Sequence, residues 1–181
     1  MDTVNGLPAH VLLVHAVVVL LPLASLALVL SVLWPAARRR LGIVTPLLAL
    51  VGLILVPITT SAGEYLERQF GDSPLIEKHA DLGDKLLPFA IGLFVVALAH
   101  WIWSFRVRRQ AEQATTSAPV SPAGGGVAVA ERTSTAVGTT TTATKVGNVV
   151  FAVLGVVVAA LTVWMVVRIG DSGAQAVWGG G

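Results

Sequence analysis

Residues 8 to 40 read PAHVLLVHAVVVLLPLASLALVLSVLWPAARRR, and this stretch decides the fold. From Pro8 to Trp34 the apolar run is interrupted only by His10, His15, Pro22, Ser25 and Ser31. Crossing a bilayer takes about 20 apolar residues, so the run is long enough to span. A secretory signal would carry its positive charge before a shorter apolar core. Here Asp2 precedes the run, and Arg38, Arg39 and Arg40 follow it directly. That order retains the segment as a transmembrane helix and sets its C-terminal end in the cytoplasm.

The same pattern recurs along the chain. A second run extends from about Leu41 to Ser61, with Pro46 near its start and Pro57 near its end. Pro57 deprives the carbonyl of Leu53 of its helical partner, so a kink or a borrowed donor is expected. Ser73-Pro74 reads as an N-cap with a first-turn proline. The helix beginning there is expected to run on into a third span, Leu86 to Phe105, closed by Trp101, Trp103, Arg106, Arg108 and Arg109. Residues 107–145 are mostly Ala, Thr, Ser, Gly and Pro, too poor in large apolar groups to offset the entropy of ordering. They read as a flexible linker before a fourth span at about 146–170 and a short tail, 171–181.

The expected architecture is therefore all-α: a polytopic membrane protein with a four-transmembrane-helix bundle and a disordered cytoplasmic linker between helices 3 and 4. Residues 1–106 hold the first three helices, at about 8–34, 41–61 and 74–105. Positive charge fixes the orientation. Arg38, Arg39, Arg40, Arg106, Arg108, Arg109, Arg132 and Lys145 fall on one side, against Arg68, Lys78, Lys85 and Arg168 on the other. This predicts a multi-pass protein of the plasma membrane with both termini non-cytoplasmic. Trp34, Trp101 and Trp103 lie at the cytoplasmic boundary, as an aromatic belt would.

Only 12% of the residues are charged, about half the share in soluble domains, and the charges cluster between the spans. The small basic excess belongs to helix flanks, so nucleic acid is not an expected partner; the lipid bilayer is. The absence of cysteine excludes disulfides, thiolate metal sites and a cysteine nucleophile. With no nucleophile–base pairing, P-loop or dinucleotide fingerprint, catalysis is not the favoured reading. Helices in lipid approach through small residues, and Ala152, Gly155, Ala159 and Thr162 form such a stripe, as do Gly83, Ala90 and Ala97.

Histidines inside a membrane protein are the main functional lead. His10 and His15 are five residues apart on one helix, so they point about 140° away from each other. His79 shares an apolar stripe with Leu75, Leu82 and Leu86, while Glu77, Asp81 and Lys85 take the wet face. It therefore turns inward, either donating to a loop carbonyl or serving as a ligand opposite His15 or His10. His100 sits alone at the other end, as an interfacial residue. Glu64, Asp84 and Asp171 come to the same outer surface. This gives two overlapping expectations: His15 and His79 as cofactor ligands, and His10, His15, His79, Glu64, Asp84 and Asp171 as a metal-binding set. The cofactor would be haem b or a transition metal, in a redox-related role.

The chain resembles the bacterial membrane proteins grouped as domain of unknown function 2231. The likeness rests on Leu7-Pro8-Ala9-His10-Val11-Leu12-Leu13-Val14-His15, on Thr60-Ser61-Ala62-Gly63-Glu64 and on His79-Ala80-Asp81-Leu82-Gly83-Asp84. It extends to the closing Arg168-Ile169-Gly170-Asp171-Ser172-Gly173-Ala174. The tail is similar to that of actinobacterial members, although a histidine is expected where Asp171 stands, and Val11 replaces a proline. The resemblance implies a four-helix membrane bundle of unassigned activity, some relatives being joined to Rieske-type iron–sulfur domains. The competing reading is a structural or accessory subunit, docked to a larger membrane complex or to its own copies, with no cofactor.

Overall fold

A computed structural model describes residues 3–4, 7–70, 74–116 and 130–178, with side-chain surroundings for 10, 12–65, 74, 77–113, 142–175 and 178. A two-residue pairing of β1 (Thr3–Val4) with β2 (Leu7–Pro8) precedes six helices. These are α1 (Ala9–Leu33), α2 (Pro35–Leu41), α3 (Val44–Phe70), α4 (Pro74–Asp84), α5 (Leu86–Thr116) and α6 (Ala130–Trp178). Four segments are long and apolar enough to cross a membrane: Leu12–Leu33, Val44–Tyr65, Glu77–Gln113 and Thr142–Gln175. The protein is a helical membrane bundle.

The long helices form a ring in chain order. α1 packs on α3, α3 on α5, α5 on α6, and α6 returns to α1. At the centre, Leu21, Leu28, Leu93, Val56 and Thr162 are fully buried. The small-residue faces are the inner ones: Ala90, Ala97, Ala159 and Thr162 are buried, as is Gly155, which packs on Val32 and Leu28 of α1. Thr162 donates to the carbonyl of Val158, one turn back, at 2.8 Å and so satisfies its hydroxyl within the core. Between α1 and α3, the Ser31 and Thr45 hydroxyls bond each other at 3.2 Å.

Several helix ends depart from expectation. The third span does not run on unbroken from Pro74: a turn at Lys85 separates α4 from α5. Pro88 supplies the reason. It has no N–H for the carbonyl of Asp84, and its ring would clash with that carbonyl, so one helix stops at Asp84 and the next starts with Pro88 in its first turn. Pro57, by contrast, is absorbed inside α3. The hydroxyls of Thr59 and Thr60, just beyond it, donate to the carbonyls of Leu55 and Pro57. α6 continues through Gly170 to Trp178, so the expected tail is helical there, and Gln175 bonds Asp171 one turn away. Helix also enters the expected linker from both sides, to Thr116 and from Ala130; residues 117–129 lie outside the described residues.

One end of the bundle gathers arginines. Arg38 reaches back from α2 to the carbonyls of Ser31 and Val32, which end α1 without helical partners, and also bonds Asn148 of α6. Arg108 of α5 donates to the Arg38 carbonyl. His100 lies beneath this layer and is 3% exposed, edge-on to Phe151, with Ser104 at 3.4 Å. It is buried between helices at the end of the bundle where it was expected. Burial and the neighbouring Arg108 hold the Arg38 guanidinium below its ordinary pKa.

Candidate functional site

The opposite end carries the other three histidines, and two of them are docked in the same way. His10, the second residue of α1, lays its ring on Gly63 of α3. A Cβ added at Gly63 would lie 3.0 Å from the His10 Cε1. The ring's Nδ1 is 3.1 Å from the carbonyl of Thr59. His79 of α4 lays its ring on Gly173 of α6, where a Cβ would lie 3.1 Å from Cε1. Its Nδ1 is 2.9 Å from the Ser172 hydroxyl.

The partners fix how each neutral ring holds its proton. A carbonyl only accepts, so Nδ1 of His10 must donate to Thr59. Ser172 uses its single O–H on the carbonyl of Ile169, at 2.8 Å, and therefore accepts from His79. Read through these partners, both imidazoles carry their proton on Nδ1 and keep the lone pair on Nε2, with the Ile169 carbonyl a further acceptor near the His79 ring. A backbone or hydroxyl acceptor on Nδ1 with a bare Nε2 is the usual arrangement of a ligating histidine.

His10 and His79 line one cavity of about 210 Å³. Its walls are mostly aliphatic, including Val14, Val17, Val56, Leu86, Val166 and Ile169, with Glu64 and Asp84 also lining it. His10, His79, Glu64 and Asp84 are thus brought together.

His15 and Asp171 are not. His15 is exposed on α1 and does not line the cavity. The 140° between residues five apart explains this: with His10 turned inward, His15 faces outward. Asp171 is exposed and bonded to Gln175. The expected pair of His15 and His79 is therefore not assembled across the bundle. Among the described residues, no three His, Asp or Glu side chains are grouped to hold a metal. A closed tetrahedral site, which needs four ligands, does not fit. A cavity of about 150 Å³ receives a benzene ring, so this one has room for a single substituted ring.

Sequence reasoning placed Ser172 with Asp171 at this end but missed the Thr59 carbonyl as a partner of His10. Gly63 and Gly173 lie in the quoted motifs, but only the fold shows that each glycine is the floor under an imidazole.

These features define a class: a four-span helical membrane protein with a histidine-flanked apolar cavity at one end. The chain belongs to the family described as predicted membrane protein, DUF2231, whose model matches residues 6–181. No curated protein and no solved structure matches it significantly.

Proposed function

We propose that this is a ligand-binding protein of the plasma membrane, which holds a small molecule or cofactor in the cavity flanked by His10 and His79. The observation that carries this reading is that both rings are held through Nδ1 while both residues line one largely apolar cavity, so that Nε2 is the basic atom each can offer a ligand. Purely structural histidines have no need of a shared cavity. Glu64 and Asp84 add acceptors to the cavity lining. With arginines at the cytoplasmic end, the cavity belongs to the non-cytoplasmic half of the bilayer, and both termini lie on that side. Imidazole bases at a lipid-accessible site suit a redox-related ligand, whether a metal ion completed by outside ligands or an organic carrier.

The test is retention of a ligand through purification. Protein taken from native membranes is examined by native mass spectrometry, visible spectroscopy and metal analysis. The wild-type chain and His15→Ala retain a bound species, whereas His10→Ala and His79→Ala lose it. A chain that carries nothing at this site, or whose ligand survives both substitutions, contradicts the reading.

A further inference from the structure

The ligand class of this cavity follows from its size, its walls and the hydrogen-bonding sense of its imidazoles, and it rests on the reading just given. A volume of about 210 Å³ exceeds the roughly 150 Å³ that receives benzene, so one substituted six-membered ring is accommodated. The aliphatic walls require an apolar ring body. Val18 lines the cavity yet is 40% exposed within the first span, so the cavity reaches the lipid-facing surface. The ligand is therefore lipid-soluble.

Polarity then selects the substituents. Both Nε2 atoms accept hydrogen bonds and neither donates. A ligand carbonyl would set lone pair against lone pair, while a hydroxyl donates. We infer that the cavity binds a lipid-soluble hydroquinone, a single ring whose hydroxyls donate to Nε2 of His10 and His79. The corresponding quinone offers only carbonyl oxygens at those positions. To bond it, an imidazole must gain a proton or move its Nδ1 proton to Nε2, which at His10 forfeits the bond to the Thr59 carbonyl and at His79 takes the Ser172 hydroxyl away from Ile169. The site thus discriminates the reduced carrier from the oxidised one.

The full chain in detergent is titrated anaerobically, at about pH 8 where imidazole of ordinary pKa near 6.5 is neutral. The probes are trimethylhydroquinone, its quinone and its dimethyl ether, followed by calorimetry. One hydroquinone per chain is expected, with quinone and ether about tenfold weaker or worse. His10→Asn and His79→Asn are the informative variants, because the amide keeps a donor near the Nδ1 position and deletes Nε2. Each weakens hydroquinone binding about tenfold, with helix content unchanged, while His15→Asn does not.

Equal affinity for the quinone, or hydroquinone binding indifferent to both substitutions, overturns the inference. A parallel titration with Co²⁺, read from its visible bands, separates the ligand class from the site. Cobalt binding that needs His10 and His79, without hydroquinone binding, overturns the hydroquinone and keeps the cavity as a ligand site. Binding of neither probe overturns both.

Discussion

At the scale of single residues, the account turns on two glycines. Gly63 and Gly173 each leave only enough room for the imidazole lying on them. Adding a methyl at either position forces the ring away, and the Nδ1 bond to Thr59 or Ser172 lengthens. Gly63→Ala and Gly173→Ala are expected to weaken ligand binding and to lower stability by about 1 kcal/mol, the worth of one hydrogen bond. Thermal unfolding in detergent and ligand titration measure the two effects. Unchanged binding in both variants would detach the histidines from the site. The inward turn of His79 was legible in the sequence because α4 has a wet face that sets its phase. α1 is apolar all round, so nothing in its pattern says which side faces inward. The 140° between His10 and His15 was readable, but which of the two enters the bundle was settled only by packing against Gly63.

At the scale of helices, hydropathy located the spans because each must bury or immerse a long apolar run. It did not locate their ends. α3 and α6 extend beyond the apolar run into polar sequence, and in α6 the Asp171–Gln175 bond supports the added turn. The break between α4 and α5 has a local cause in Pro88, three residues past the turn at Lys85. Pro88→Ala returns an N–H to the Asp84 carbonyl and is expected to fuse the two helices. Spin labels at Glu77 and Val95 would then move apart, as read by pulsed electron resonance, and His79 would leave Ser172. An unchanged distance would show that tertiary contacts of α4, not the proline, impose the break. α5 and α6 meet closely where Trp103 covers Gly147. Gly147→Ala overpacks that contact at a cost of about 1–3 kcal/mol, seen as a lower unfolding midpoint.

At the scale of the whole molecule, polarity divides the bundle into an arginine end and a histidine end. Arg38 ties α1, α2 and α6 together at the first, and α4 covers the second against α3, α5 and α6. We propose, from the positive-inside bias, that the arginine end faces the cytoplasm. The chain has no cysteine, so single substitutions report cleanly. Glu77→Cys and Ala174→Cys are expected to react with an impermeant maleimide in intact cells, and Gln110→Cys only after lysis. The reverse pattern would invert the topology.

The central claim is that His10 and His79 are held with Nδ1 protonated and Nε2 bare at one cavity, and nitrogen-15 NMR of histidine-labelled protein in lipid addresses it directly. At about pH 8, above the ordinary imidazole pKa, two of the four histidines are predicted to show the Nδ1–H tautomer and to shift at Nε2 when hydroquinone is added. His10→Asn and His79→Asn should remove those signals one at a time. Nε2–H tautomers at these two residues would contradict the account.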